Sequence, residues 1–298
     1  MRLVREVAEL REVLRGREGV GFVPTMGALH EGHLALVRTA RRENALVVVS
    51  IFVNPLQFGP GEDYERYPRD LEGDLEKLER ETVDVVFAPS RTTMYPEGAE
   101  TVVEVGRIGA VLEGAARPGH FRGVATVVLK LLHLVAPATV YFGQKDWQQT
   151  LVVRQLLRDL FLSVRMRVVP TVREADGLAM SSRNLYLSPL ERERATCLYR
   201  ALEAGFEALR QGARETSRVE AAMRAVLEAE AGVAPDYAAA REASTLAEVS
   251  TLQGEVVLAV AAKVGTARLI DNFVVAVEGA SARLLGGADG WMFQPPAY

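Results

Sequence analysis

Short apolar stretches alternate with amphipathic helical patterns through the first part of the chain. These stretches are residues 20–23, 45–53, 83–88, 139–142 and 164–169. Stretches such as LVVVSIFV are apolar on both faces, which is typical of parallel strands covered by helices on each side. The alternation predicts an α/β domain with a doubly wound parallel sheet over residues 1–172.

The N-terminal segment combines charged residues with apolar residues at helical spacing. Val4, Val7, Leu10 and Leu14 would lie on one face of a helix. A signal peptide would instead contain an uninterrupted apolar core. The pattern therefore predicts that the chain begins with a helix.

The character of the sequence changes near residues 173–177, where charged residues and a glycine mark a boundary. Ser188 and Glu191 form a predicted capping box for a long helix that ends near Arg210. Ser217 and Glu220 repeat this capping pattern before a second helix.

Two strand-like stretches, residues 256–263 and 267–277, are joined near Gly265. Residues 173–298 are therefore predicted to form a smaller α+β domain. It would carry the MSSR segment, Met180 to Arg183, on a mobile loop.

Composition narrows the functional class. The chain has 298 residues, of which 49% are hydrophobic and 25% charged, with a net charge of −4. The small net charge gives no support to a nucleic-acid or anionic-membrane partner. The longest apolar stretches are too short or too interrupted to span a bilayer. A single cysteine fits a reducing compartment, so a cytoplasmic protein that acts on small molecules is expected.

Polar segments follow the predicted strands at the sheet edge where α/β proteins bind ligands. His30 and His33 flank Gly32 at the start of the helix after the first stretch, and their spacing places them on one face. Free N–H groups at the helix start would help them bind phosphate. Capping or surface histidines are the alternative interpretation. A zinc site is disfavoured because the chain has only four histidines and one cysteine. A classical dinucleotide-binding site is disfavoured because no GxGxxG motif follows residues 20–23.

Other polar residues are ambiguous when taken singly. Lys145 can meet a phosphate as a point charge and shares a helical side with Gln149, although both also suit an ordinary polar first turn. Asn54 and Gln57 can hydrogen-bond a hydroxy acid without adding charge, although Asn-Pro is also a common turn. Arg183, which follows two serines, could clamp a leaving pyrophosphate.

Taken together and in order, these segments resemble the pantothenate synthetases, members of the HIGH-motif nucleotidyltransferase superfamily. The resemblance lies in the segments PTMGALHEGH, FVNPLQF, YERYPRD, RPGHFRGV, GQKDWQQ and LAMSSRN. Gln144 and Trp147 depart from the acid and the tyrosine that many relatives have there. The last hundred or so residues match in general character more than in motif.

The resemblance implies a Rossmann-like first domain and the reaction ATP + pantoate + β-alanine → pantothenate + AMP + pyrophosphate, through a pantoyl adenylate. It implies Mg²⁺ held by phosphate oxygens and water, with no protein metal site, and a homodimer. The implied catalytic residues are His30, His33, Lys145 and Arg183. The implied substrate ligands are Asn54, Gln57 and Gln149. The implied ATP contacts are Met26, Gly27, Ala28, Leu29, His30, Glu31, Gly32, His33, Gly143, Gln144, Lys145, Asp146, Val172, Met180, Ser181, Ser182 and Arg183.

Two other functions are alternatives. An adenylyltransferase acting on a phosphorylated acceptor would release only pyrophosphate, but it should have more basic residues where this chain has neutral amides. A nucleotide sensor without turnover would have no use for the paired histidines, the lysine and the arginine, which suit transition-state charge.

Overall fold

The structure is a computed structural model that describes residues 1–287 and 290–294. Its strands are β1 (Arg2–Val4), β2 (Val20–Thr25), β3 (Leu46–Ile51), β4 (Val85–Phe87), β5 (Thr139–Gly143), β6 (Arg165–Val169), β7 (Val233–Glu242), β8 (Gly254–Val264), β9 (Ala267–Glu278), β10 (Ser281–Leu284) and β11 (Trp291–Phe293). Its α-helices are α1 (Val7–Leu14), α2 (Glu31–Glu43), α3 (Leu71–Arg80), α4 (Arg91–Met94), α5 (Glu113–Ala116), α6 (His120–Val135), α7 (Trp147–Asp159), α8 (Pro189–Arg194), α9 (Cys197–Arg210) and α10 (Thr216–Ala229).

The first compact unit is built on a mostly parallel sheet with the strand order β1-β4-β3-β2-β5-β6-β11. Strands β1 to β6 pair in parallel, and β11 pairs antiparallel with β6. In β3, the side chains of residues 47–49 are all fully buried, as expected for a strand covered on both faces. The strand order reverses between β2 and β5, which is where open α/β sheets bind ligands.

The second compact unit contains a separate antiparallel sheet with the order β10-β9-β8-β7. Helices α9 and α10 supply Leu198, Leu202 and Met223 to a core that β8 and β9 complete. The β8–β9 hairpin turns at Gly265, as the sequence predicted, with a φ of +57° that glycine adopts without strain. The predicted α/β class with a smaller α+β part is confirmed.

The chain crosses from one unit to the other more than once. Residues 144–147 belong to the second unit, and the strand β11 belongs to the first. The main change of unit falls at Val169 and Pro170, close to the predicted boundary at residues 172 and 173. The two short excursions were not predicted. Residues 288–289 and 295–298 of the predicted second domain lie outside the described residues.

The predicted N-terminal helix is correct only from Val7 onward. Residues 2–4 form the edge strand β1, in which Arg2 N–H donates to Asp84 O at 2.8 Å. Ala88 N–H donates to Val4 O at 2.9 Å. Pairing with β4 therefore overrides the helical spacing of Val4.

The predicted long helix after Ser188 is interrupted. The capping box is present, because Ser188 N–H donates to Glu191 Oε2 at 2.8 Å and Glu191 N–H donates to Ser188 Oγ at 3.4 Å. However, α8 ends before Thr196, whose hydroxyl donates to Glu193 O at 2.7 Å. Such local side-chain bonds compete with the helical ladder, and α9 begins anew at Cys197.

The second predicted cap is also wrong in detail. Helix α10 starts at Thr216 with Glu215 at its N-cap, so Ser217 lies inside the first turn. Glu220 accepts from Ala240 N–H at 2.9 Å and pairs with Arg241 at 2.5 Å instead of closing a capping box. Strands β7, β10 and β11 were not predicted.

No helix among the described residues is both long and apolar enough to cross a membrane.

Candidate active site

A strained loop follows β2 and leads into α2. Gly27 has φ +86° and Ala28 has φ +51°, both in the left-handed region. That conformation is costly for alanine and persists only where surrounding groups hold it. The carboxylate of Asp74, on α3, accepts from Ala28 N–H at 2.8 Å and from Leu29 N–H at 2.7 Å. Lys77 Nζ donates to Leu29 O at 2.8 Å and lies 3.7 Å from Asp74.

Asp74 is an acid buried to 1% side-chain exposure. Burial is the strongest influence on its pKa and raises it, although the N–H groups of Leu29 and Ala28 and the charge of Lys77 act in the opposite direction. Sequence reasoning missed Asp74 and Lys77. They lie more than forty residues from the loop they hold, and α3 looks like an ordinary charged helix.

The paired histidines form the start of α2. His30 is the N-cap, and its Nδ1 accepts from Gly32 N–H at 3.2 Å. His33 Nδ1 accepts in return from His30 N–H at 3.3 Å, which completes a capping box made of two imidazoles. The ring centroids are 4.1 Å apart, so the predicted proximity is confirmed. Capping, the alternative interpretation, is also correct.

The cap fixes the tautomer of both rings. A nitrogen that accepts a hydrogen bond carries no hydrogen, so Nδ1 is the acceptor and the neutral ring carries its hydrogen on Nε2. Each ring therefore presents an Nε2–H donor at a helix N-terminus, where backbone N–H groups and the helix dipole favour an anion. Capping and anion binding are compatible because they use different nitrogens.

Asn54 and Gln57 lie beside this loop, after β3. Asn54 is 1% exposed; its Oδ1 accepts from Leu56 N–H at 3.4 Å and from Tyr95 Oη–H at 2.8 Å. Its Nδ2 donates to Gln57 Oε1 and to Gly123 O, both at 3.1 Å. Asn54 is thus occupied in orienting Gln57.

The Gln57 amide faces the loop after β2. Its Nε2 donates to the thioether of Met26 at 3.0 Å, and its side chain is largely buried. Sulfur is a weak acceptor, so a substrate oxygen could replace it at little cost. The structure thus brings Gln57, a predicted substrate ligand, to Met26, a predicted ATP contact.

A second network fixes the main chain of Gln57. His120, the first residue of α6, forms an Nδ1 hydrogen bond to Gln57 O at 2.8 Å. Arg117 lies 3.2 Å from His120 Nε2 and pairs with Glu62 through two bonds of 2.9 and 2.5 Å. Neutral His120 with its hydrogen on Nδ1 fits both neighbours. Burial and then the Arg117 charge lower the pKa of His120 to about 4.

Gly123 lets α6 pack directly on the Asn54–Gln57 turn. A Cβ there would lie 2.2 Å from Leu56 O and 2.5 Å from Gln57 N.

Gln149, the third predicted substrate ligand, lies half-buried in the first turn of α7. Its neighbour Gln148 is structural, because Nε2 donates to Ile108 O at 2.7 Å and Oε1 accepts from Glu113 N–H at 3.1 Å.

The remaining predicted ATP contacts lie mainly in the second unit, apart from Gly143, which ends β5. Gln144–Asp146 form a 3-10 turn, and α7 begins only at Trp147. The helical spacing that was predicted to place Lys145 and Gln149 on one side therefore does not apply. The two departures from the family pattern have partners in this unit: Gln144 Nε2 donates to Asn272 Oδ1 at 3.4 Å, and Trp147 Nε1 donates to Ala243 O at 2.9 Å.

The MSSR segment has regular structure. Met180 N–H donates to Val172 O at 3.0 Å, which joins two predicted ATP contacts. Ser181 Oγ accepts from Arg183 N–H at 3.3 Å and caps a 3-10 helix, Ser182–Tyr186. Lys145 and Ser181 line one small cavity, together with Leu178, Ala179, Asn184, Leu198, Leu269, Ile270 and Asp271.

The low pKa of His120 predicts a pH dependence of stability. Between its ordinary pKa of 6.5 and about 4, the unfolded chain binds a proton that the folded chain does not. The free energy of unfolding should therefore fall as the pH drops through this window, by on the order of 1 kcal/mol from about pH 7 to about pH 5. Urea unfolding should show this loss reduced in His120→Gln.

His133, exposed on the same helix, provides the matched control. His133→Gln should keep the wild-type pH dependence. If His120→Gln and wild type lose stability equally on acidification, His120 does not fold as a neutral residue.

Comparison with known proteins identifies the family of this chain. Residues 2–274 match the family model described as pantoate-beta-alanine ligase. The pantothenate synthetase of Roseiflexus castenholzii is 55% identical over 276 residues, which cover 92% of this chain and 99% of that protein.

Solved structures lead to the same family. The crystal structure of pantothenate synthetase from Thermus thermophilus has a TM-score of 0.89 and 56% identity, covering 91% of this chain and 98% of that one. The pantoate-beta-alanine ligase from Francisella tularensis, complexed with beta-gamma ATP and beta-alanine, has a TM-score of 0.77 and 36% identity, covering 92% and 97%. This chain is therefore an enzyme and belongs to the pantoate-beta-alanine ligase family.

Proposed function

We propose that this enzyme condenses (R)-pantoate with β-alanine at the expense of ATP, through a pantoyl adenylate, and releases AMP and pyrophosphate. The observation that carries the proposal is the contact of Gln57 Nε2 with Met26 Sδ at 3.0 Å. The contact joins a neutral amide to the loop that leads into α2, whose N-terminus suits phosphate. The Francisella relative, whose structure is a complex with beta-gamma ATP and beta-alanine, supports the same assignment.

The chemistry accounts for the need for ATP. A carboxylate does not acylate an amine at neutral pH, because it would have to expel oxide. In the first step a pantoate carboxylate oxygen attacks the α-phosphorus, and the α–β phosphoanhydride bond breaks to release pyrophosphate. In the second step the β-alanine amine attacks the acyl carbon, loses a proton, and AMP leaves with the bridging oxygen.

Neutral amides suit a carboxylate that must stay nucleophilic. We propose that Gln57 and Gln149 bind pantoate and that Asn54 acts by orienting Gln57, as its four hydrogen bonds indicate. An ion pair in their place would stabilise the carboxylate charge and reduce its nucleophilicity. This arrangement also disfavours a phosphorylated acceptor.

The proposed ATP contacts in the first unit are Met26 to His33, with Gly143. His30 and His33 would donate through Nε2 to phosphate oxygens, since Nδ1 of each ring is engaged in the helix cap. The proposed contacts in the second unit are Gln144 to Asp146, Val172 and Met180 to Arg183. Lys145 and Arg183 would add positive charge for the pyrophosphate, because phosphoryl-type transfers depend on positioning and charge stabilisation.

We propose that Mg²⁺ enters with ATP, held by phosphate oxygens and water, where it would neutralise phosphate charge. No group of three His, Cys, Asp or Glu side chains able to hold a metal occurs among residues 1–287 and 290–294, and no residue is assigned as its ligand. We also propose a cytoplasmic homodimer. The single cysteine, Cys197, is buried and cannot form an intrachain disulfide.

Oxygen transfer tests the proposed reaction. Purified enzyme with ATP, Mg²⁺, β-alanine and pantoate labelled with oxygen-18 in its carboxylate should yield pantothenate and AMP that carries one labelled oxygen, as measured by mass spectrometry. Omission of β-alanine should suppress AMP. Pyrophosphate released without labelled AMP would contradict the adenylate route.

Substitution of His33 tests how the histidines act. His33→Gln keeps hydrogen bonding but cannot titrate, so it should retain pantoate-dependent ATP–pyrophosphate exchange within about tenfold at every pH, whereas His33→Ala should lose about a hundredfold. Equal loss in both variants, with a changed pH profile in the glutamine variant, would show that His33 transfers a proton.

Because Asp74 holds the loop after β2 through two hydrogen bonds, its substitution should weaken ATP binding from a distance. Asp74→Asn keeps the shape but turns its amide NH2 toward one of the two backbone N–H groups that the carboxylate accepts from, which should cost about 1–3 kcal/mol in unfolding free energy. The KM for ATP should rise about tenfold or more because the loop loses its fixed conformation.

Asp84 provides the matched control. Its carboxylate also accepts from a backbone N–H, that of Val47 at 2.7 Å, but holds no predicted ATP contact. Asp84→Asn should lower stability without changing the KM for ATP. If both variants leave that KM at the wild-type value, Asp74 has only a structural role.

A further inference from the structure

Two consecutive residues of β9 are polar and buried. Asp271 is 3% exposed and Asn272 is 4% exposed, within a strand otherwise buried through apolar side chains. Burying an amide or a carboxylate is unfavourable unless hydrogen bonds compensate. Successive side chains of a strand point to opposite faces, so the two residues serve different surroundings.

Asn272 holds the turn that carries Lys145. Its Nδ2 donates to Gln144 O at 3.0 Å and to Lys145 O at 2.8 Å, and its Oδ1 accepts from Gln144 Nε2. Two consecutive carbonyls are thereby fixed in direction. One side chain, 127 residues away in sequence, thus holds the carbonyl of Lys145.

Asp271 supports the hairpin of residues 172–180, which leads into the MSSR segment. Its carboxylate binds Arg173 through bonds of 2.5 and 2.9 Å. Arg173 also donates to Gly177 O at 3.0 Å, and its guanidinium lies 4.9 Å from the ring centroid of Tyr199 and 5.3 Å from that of Phe273. This partly buried ion pair therefore holds Arg173 in one arm of the hairpin and, through the bond to Gly177 O, the turn of the hairpin.

The hairpin in turn sets the next residues of the chain. Arg173 and Ala179 form a β-bridge, and Met180 N–H donates to Val172 O. Ser181 and Arg183 follow directly. Asp271 also lines the small cavity with Lys145 and Ser181.

We infer that Asp271 and Asn272 are positioning residues for ATP, which together set the placement of Lys145 relative to the Met180–Arg183 segment. The inference rests on the proposed function, because it assumes that both segments contact ATP. Neither residue would touch the nucleotide. Each acts through a segment bound to one face of the strand.

Stability and kinetic measurements separate a purely structural role from a positioning role. Loss of a buried bond lowers stability wherever it occurs, whereas loss of positioning raises the KM for ATP and lowers kcat without comparable change in the KM for pantoate. The Arg241–Glu220 pair of the same unit offers a matched control, since it is partly buried, joined at 2.5 Å and holds no predicted ATP contact.

The experiment compares Asn272→Ala, Asp271→Asn and the control Glu220→Gln in full-length enzyme. Steady-state AMP release gives the KM for ATP, pantoate and β-alanine, and thermal unfolding gives Tm. The β9 variants should raise the KM for ATP or lower kcat about tenfold, with the KM for pantoate within about twofold. The control should lower Tm alone.

A double-mutant cycle tests whether Asn272 acts through Lys145. Lys145→Ala with Asn272→Ala should be no more than about twofold worse toward ATP than Lys145→Ala, because the positioned group is already absent. Full additivity, or β9 variants that lower Tm like the control but keep wild-type kinetics, would overturn the inference.

Two further outcomes are distinguishable. If Asn272→Ala does not fold, Asn272→Ser keeps one donor and should show a smaller loss toward ATP, while wild-type kinetics in that variant would overturn the inference. If wild-type enzyme releases no β-alanine-dependent AMP, the proposed function fails. Calorimetric titration with β,γ-methylene ATP then decides: weaker binding by the β9 variants supports positioning, and equal binding overturns it.

Discussion

Two backbone N–H groups after β2 donate to the carboxylate of Asp74, and α2 begins from the conformation that they fix. Gly27 and Ala28 are left-handed, which an isolated chain would seldom adopt at both positions. Without Asp74 those N–H groups would be buried without that acceptor, and buried donors are almost always satisfied in folded proteins. The placement of His30 and His33 at the N-terminus of α2 therefore depends on one buried acid from another helix.

The fold was largely predictable because its main signals are local. Apolar stretches that are buried on both faces identified β2 to β6 to within about two residues, and the hairpin at Gly265 followed from turn chemistry. The errors occurred where tertiary contacts decide. Val4 pairs with a neighbouring strand. The hydroxyl of Thr196 donates to a carbonyl of α8, and the helix does not continue. The short strand β11 pairs with β6, which lies more than a hundred residues earlier.

The sequence predicted the proposed contact residues of the candidate site, but it did not predict the residues that support them. His30 and His33 were identified because their proximity follows from helical spacing. Asp74, His120 and Asn272 were missed because their partners lie 45 to 128 residues away in the chain, and periodicity carries no information on such pairs. Asn54 was predicted as a substrate ligand, whereas its four hydrogen bonds indicate a supporting role.

In each compact unit a buried carboxylate supports predicted ATP contacts, Asp74 by accepting from Ala28 and Leu29 N–H and Asp271 through the hairpin that leads to Met180. A buried acid contributes little net stability, because its desolvation offsets what its partners return. Its advantage is geometric: it cannot shift without leaving a charge or several donors uncompensated, so the segment it holds has one conformation. For a reaction that proceeds by positioning and charge stabilisation, such rigid support matters as much as the groups that meet the substrate. Polar residues buried far from the sequence motifs would then contribute to catalysis by positioning, and not only to the stability of the core.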